Sequence, residues 1–460
     1  MKILNFITLF FIGCSTLVHA EGLTINQTSS FLGIVAVLVF ITSYIFVILE
    51  EKLHLKKSKP VVLAASIIWV LVAISSSYQD QSKLASQAVK HAFLEYAELF
   101  LFLLVAMTYI NALEERNIFA KVKEWIINKN FSFIQCFWVT GIFAFFISPI
   151  ADNLTTALLM GAVLISIGEG RKDFILLGLI NIVIAANAGG AFSPFGDITT
   201  LMVWQKGVVP FETFFKLFIP SLVNFVVPAI IFSFFVPKGK PTASLEKIEI
   251  KTGGIFISFL FLITIATAVT FENFLSLNAT VGMMAGLGYL LITSHFINLN
   301  QIKKGLSKFN IFDKVKLAEW DTLLFFYGII LSVAGLSLFG YLNLVSDTIY
   351  TSNGTMSIYT QHLIANFFVG IISAIVDNIP VMFSILTMLP DMTQGQWLLA
   401  TLTAGVGGSL LSVGSAAGVA LMGQSKGLYT FKGHLKWSWV IFIGYVASVM
   451  THVLINDHLF

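Results

Sequence analysis

The chain has 460 residues, 57% of them hydrophobic and only 11% charged, with a mean hydropathy of +0.88; a soluble domain carries about 25% charged residues, so a soluble globular protein is excluded and an all-α polytopic membrane protein is indicated. The 27 Lys and Arg against 24 Asp and Glu leave a net charge of +3, too little for a nucleic-acid-binding surface. The two cysteines, Cys14 and Cys136, both lie in apolar stretches and provide neither a disulfide framework nor a CxxC site.

Lys2, the apolar run from Ile3 to Gly13 and Val18-His19-Ala20 before Glu21 have the layout of a signal peptide cleaved after Ala20. The alternative for residues 1–20 is an uncleaved first helix. Apolar stretches then follow at 31–49, 61–77, 93–113, 131–147, 153–167, 174–192, 213–236, 254–271, 279–295, 320–340, 358–376, 379–389, 397–411 and 437–456. Two short pieces, 198–205 and 416–423, come after Gly-rich breaks.

All of the 27 Lys and Arg except Lys83, Lys90, Lys206 and Lys216 fall on Lys2 and one set of alternate connections. By the positive-inside rule those connections are cytoplasmic. The alternation closes only if 131–167 is a hairpin returning to the cytoplasm, 358–389 is a hairpin returning to the outside, and the broken segments 174–205 and 397–423 each cross once. The second arm of each hairpin is short and its tip polar, which favours re-entrant tips near mid-membrane. So ordered, the chain holds one unit twice, at 31–236 and 254–456, joined by a cytoplasmic linker at 237–253. Each unit has a re-entrant helical hairpin and a Gly-broken transmembrane helix, and the hairpins open from opposite sides. Such inverted repeats with interrupted helices mark secondary transporters, whose sites lie where the breaks meet.

An ionised aspartate in hydrocarbon is costly, so Asp152, Asp197 and Asp377, each at a helix break, are functional candidates. Unwound carbonyls and the side-chain oxygens of Asn153, Asn378, Thr155, Thr156, Thr199 and Thr200 can complete a cage for a small hard cation. Asn187, Ser412 and Ser415 are candidates of the same kind. The competing reading is that these residues only cap broken helices. A carboxylate away from water holds either a proton or a metal cation, which is the minimum for antiport. Glu95 and Glu98 near one end of 93–113, and Asp321 at the start of 320–340, read first as solvated or dipole-stabilising helix-end groups. His91, His362 and His434 read as interfacial.

Four motifs carry a resemblance: Ser148-Pro-Ile-Ala-Asp152-Asn153-Leu-Thr-Thr, Ser193-Pro-Phe-Gly-Asp197-Ile-Thr-Thr, Ser373-Ala-Ile-Val-Asp377-Asn378-Ile-Pro and Gly407-Gly-Ser-Leu-Leu-Ser412-Val-Gly-Ser415. In that order they resemble the NhaD-type sodium/proton antiporters of the ion transporter superfamily, over residues 90–456. The resemblance implies exchange of Na+ or Li+ for H+ across a bacterial inner membrane, with importance at alkaline pH. It implies a cation and proton pathway lined by Asp152, Asn153, Asn187, Asp197, Thr199, Thr200, Ser373, Asn378, Ser412 and Ser415. Asp377 joins them from the residues alone, Glu98 and Asp321 are accessory carboxylates, and Asp152 and Asp197 are the expected Na+ ligands. The first two helices match only by hydropathy. No cofactor is called for, the ions being cargo, and the partners are monovalent cations, protons and the bilayer. These residues do not fix the oligomeric state, a homodimer included. A sodium-coupled dicarboxylate or other anion carrier of the superfamily is the alternative, yet Arg116 and Arg171 both lie in loops and no arginine lies in a break. An intramembrane aspartyl protease lacks its motifs, since Pro194 stands where a Gly-x-Gly-Asp motif ending at Asp197 needs its first glycine and no Tyr-Asp pair occurs.

Overall fold

The computed structural model describes residue 25 and residues 27–168, 171–241, 247–303, 308–351 and 356–460; residues 1–20, set apart above as a leader or first helix, lie outside the described residues. Helices enter through small polar residues that take up the free backbone N–H groups of the first turn. Ser30 accepts from the Gly33 N–H at 3.0 Å, Ser132 forms a capping box with Gln135, and Thr393 accepts from the Gln396 N–H at 3.3 Å. The helices that build the molecule are α1 (Phe31–Ile48), α2 (Ser58–Tyr78), α3 (Ser82–Glu115), α4 (Phe133–Ala151), α5 (Asn153–Gly168), α6 (Lys172–Gly190), α7 (Ile198–Gln205) and α8 (Phe218–Ser233). They continue with α9 (Gly254–Leu275), α10 (Ala279–Lys303), α11 (Trp320–Phe339), α12 (Ile358–Ser373), α13 (Asn378–Met388), α14 (Gln394–Gly407), α15 (Ala416–Gln424) and α16 (Ser438–Ile455). Among the described residues ten helices are long and apolar enough to cross a membrane, so the protein is a multi-pass, all-helical membrane protein.

Hydropathy located most of these helices closely, but α10, expected to end at 295, runs on to Lys303. The stretch expected at 93–113 belongs to a helix of 34 residues that starts at Ser82, because its amphipathic first turns continue the helix beyond the apolar segment. Side-chain distribution separates rim from centre. Leu38 and Ile45 of α1 are exposed, as suits a lipid-facing surface, whereas α6 is buried from Phe174 nearly without a gap to Gly190.

Two hairpins, α4–α5 and α12–α13, pack on the first halves of two broken helices, α6 and α14. The second halves cross over: α7 packs on α13 and α15 on α5. The same contacts occur twice. Ser148 Oγ donates to the Ala186 carbonyl at 2.6 Å, and Ser373 Oγ donates to the Ala404 carbonyl at 2.7 Å. A Cβ at Gly189 would land on the carbonyl oxygen of Phe145, and one at Gly407 on that of Gly370, so only glycine lets hairpin and broken helix touch through their backbones.

The remaining helices form a frame. α2 and α11 run parallel: the Ser58 hydroxyl donates to Asp321, the Trp69 indole donates to the Leu331 carbonyl at 2.9 Å, and Gly335 packs on Ile68. Basic connections gather at one end, where Lys314 pairs with Glu115 at 2.8 Å and the Lys251 N–H donates to the Arg116 carbonyl at 3.0 Å. Lys206, by contrast, pairs at 2.9 Å with Glu95, in the N-terminal half of α3.

Candidate functional site

The first hairpin turns at Asp152. Pro149 sits in the last turn of α4, and Asp152 closes the helix at φ +57°, ψ 162°, a conformation costly for any side-chain-bearing residue. Its carboxylate caps α5, accepting the Thr155 N–H at 2.8 Å and the Thr155 hydroxyl at 2.9 Å. In the first broken helix the Gly-rich turn between α6 and α7 ends at Asp197, the N-cap of α7. Oδ1 of Asp197 accepts the Thr199 N–H and hydroxyl, each at 2.9 Å.

The other oxygen of Asp197 faces the two hairpin tips. Oδ2 accepts the Asn153 amide at 2.7 Å and the Asn378 amide at 3.0 Å. Asn153 also donates to Asn187 Oδ1 at 3.0 Å, and the Asn187 amide donates to Ser409 Oγ at 2.8 Å and Ser415 Oγ at 3.0 Å. One buried polar hub thus joins both tips and both breaks, with Asp197 as its charged member. Three further buried oxygens on the same segments, Thr156 Oγ1, Ser412 Oγ and Asp377 Oδ1, have no hydrogen-bond partner. Buried unpaired polar atoms cost about 1–3 kcal/mol each, and oxygen atoms left in that state suit a cation.

A cavity opens from this hub. Asp152, Asn153, Asp197 and Asn378 line it, together with Lys57 and Glu319.

The residues expected in the pathway divide accordingly. Asn153, Asn187, Asp197, Asn378 and Ser415 meet in the hub; Asp152 shares its cavity, and Thr199 holds the Asp197 carboxylate. Thr200 donates to the Ser193 and Asp197 carbonyls at 2.8 and 2.6 Å, closing the turn. Ser373, like Ser148, pins a hairpin to its broken helix. Asp321 accepts from Ser58, and Glu319 accepts the Thr322 hydroxyl at 3.1 Å. Glu98 stands apart from the hub, its carbonyl accepting the Thr280 hydroxyl at 3.1 Å. His91 is exposed and faces Glu95 at 3.4 Å, whereas His362 and His434 are buried within the protein. His434 is held between the Tyr429 hydroxyl at 2.7 Å and the Ser409 carbonyl at 2.9 Å.

Sequence reasoning passed over Ser409, Glu319 and Lys57. Ser409 sat between the glycines and Ser412 of a motif already in view, and its place directly after the Gly407-Gly408 pair of the second break was the available signal. Lys57 and Glu319 lay in loops that read as topology markers.

Comparison with known proteins agrees with this architecture. A family described as "Citrate transporter" matches residues 11–405. The chain is 52% identical to the "Na(+)/H(+) antiporter NhaD" of Alkalimonas amylolytica, over 96% of this chain and 94% of that protein. It is 51% identical to the protein of the same name from Vibrio cholerae, over 96% and 95% of the two chains. It is 30% identical to "Sodium/proton antiporter 2" of Arabidopsis thaliana, over 91% and 99%. The chain belongs to the family of the NhaD-type sodium/proton antiporters.

Proposed function

We propose that this protein exchanges Na+, or Li+, for H+ across the bacterial inner membrane, and that Asp197, with Asp152 beside it, binds cation and proton in turn. The carrying observation is the Asp197 carboxylate, buried and reached at once by Asn153 and Asn378. Each amide presents its N–H2 group to the carboxylate. Rotation of either amide would present Oδ1 instead, turning a ring of donors into ligands for a cation held by Asp197. A proton on the same carboxylate removes the charge that holds the cation. Only the loaded forms, protonated or cation-bound, cross the low-dielectric barrier cheaply, and this ties one ion's movement to the other's.

The scaffold for this reading is an inverted repeat of 31–236 and 254–456 around a cytoplasmic linker at 237–253, with re-entrant hairpin tips. The recurring serine and glycine contacts of the two hairpins, the crossing of α7 and α15, and the separation of basic connections from Lys206 support it. Thr199, Thr200, Ser373, Asp377, Ser412 and Ser415 complete the cation and proton pathway, with Glu98 and Asp321 accessory. An anion such as a dicarboxylate would instead meet Asp152, Asp197 and Glu319, and the one basic side chain that lines the cavity among the described residues is Lys57.

The test is sodium-driven proton movement in proteoliposomes holding the purified protein. Asp197→Asn and Asp152→Asn keep size and hydrogen bonding but lose the displaceable proton, so each should abolish exchange in correctly inserted protein. Parent rate and apparent affinity in either variant would reduce that aspartate to a helix cap.

A further inference from the structure

The ammonium of Lys57 lies 3.5 Å from Asp377 Oδ2, with the two side chains only 14% and 12% exposed. It also sits over the ring of Phe325, 4.4 Å from its centroid, where the ring face attracts a cation. Its backbone is anchored next door: Ser58 donates to Asp321, fixing the start of α2 against α11. A second residue of the N-terminal pair of helices, Tyr44 of α1, is buried without a hydroxyl partner and close enough to feel the Asp377 charge. Asp377 itself uses only one oxygen on the lysine. Oδ1 is buried and unpaired, next to Asn378, which reaches the Asp197 hub. A positive charge thus stands on the second hairpin tip, at the cavity through which a cation would enter.

We propose that the Lys57 ammonium is a tethered competitor of the transported cation for the Asp377 carboxylate. It neutralises Asp377 while the site holds no sodium, and an arriving sodium ion takes over that carboxylate as the lysine withdraws along the cavity. The proposal rests on the antiport reading above and gives α1 and α2, outside the hairpins and breaks, a part in setting cation affinity. The lysine is a specificity-determining residue: it raises the sodium concentration at which the site fills.

The experiment measures rate against sodium concentration in proteoliposomes for the parent, Lys57→Met, Lys57→Gln, Lys57→Arg, Asp377→Asn and the Lys57→Met/Asp377→Asn pair. Removing the competing charge in Lys57→Met or Lys57→Gln should lower the apparent half-saturating sodium concentration on the order of tenfold, equivalent to about 1.4 kcal/mol, without raising the maximal rate. Lys57→Arg, which keeps the charge, should return most of the parent value. Within the Asp377→Asn background, Lys57→Met should change nothing further. An unchanged half-saturation in both neutral variants, or the full effect persisting without the Asp377 carboxylate, overturns the proposal. If both neutral variants fail to insert, Asp377→Asn decides alone: it must raise the half-saturating concentration, and an unchanged value overturns the proposal. A parent protein without sodium-driven proton movement would instead sink the antiport reading itself.

Discussion

At Asp152 backbone and side chain want different residues. The dihedral pair at this position favours glycine by about 1–3 kcal/mol, yet the chain carries an aspartate whose carboxylate caps α5. Glycine at an N-cap sacrifices only a few tenths of a kcal/mol, whereas alanine loses the cap and keeps the strain. Asp152→Gly is therefore expected to unfold at a higher temperature than Asp152→Ala in detergent, while neither exchanges sodium for protons. An alanine variant as stable as the glycine one would mean that the turn relaxes freely. Asp197 and the asparagines of the hub, and Asp152 in the same cavity, were legible in the sequence because ionisable or amide side chains stand out within apolar stretches. Lys57 was not, since a lysine in a basic loop reads as a topology signal, and only the packing of α2 on α11 carries it inward. The partners of His434 were not legible either, because only the fold brings the segment at 425–436 over the second break and buries the ring against the Ser409 carbonyl.

Among the elements, the broken helices are held by surfaces without side chains. Methyl groups at Gly189 and Gly407 would meet backbone carbonyls that cannot turn aside, so Gly189→Ala and Gly407→Ala should each lose about 1–3 kcal/mol or more and accumulate poorly. Gly423→Ala in α15 has open space around it and serves as the comparison, expected to accumulate and melt like the parent. The two halves are not equal in charge. The first break ends on Asp197, whereas the second ends on Ser415, which caps α15. Asp377→Asn is accordingly expected to keep part of the exchange rate while Asp197→Asn keeps none; equal loss in inserted protein would contradict this asymmetry. Helix positions were legible because apolar length alone sets them. The amphipathic start of α3 was not, because membrane-scale hydropathy is blind to a helix that continues into polar surroundings.

Over the whole molecule, the connections holding Glu115, Arg116, Lys251 and Lys314 converge on one end. If that end faces the cytoplasm, single cysteines in place of Lys251 and Lys316 should react with an impermeant thiol reagent in everted vesicles and stay unlabelled in intact cells. With Cys14 replaced by serine, Cys136 gives no background, being buried; labelling from outside would reverse the topology and remove the proposed inverted repeat. The order of the membrane-length helices could be read from hydropathy, but the crossing of α7 onto α13 and of α15 onto α5 could not, because no local pattern encodes which distant hairpin a half-helix will meet. That crossing interlocks the two halves. Each hairpin packs on its own broken helix and on the second half of the other, and hydrogen bonds of the hub run from one half to the other. The cavity lies along a different boundary, with Leu103 and Met107 of the frame on one wall and Asp152 and Phe195 of the interlocked block on the other. The hydrogen bonds of the hub all lie within that block, so a shift of the block against the frame would leave every one of them intact.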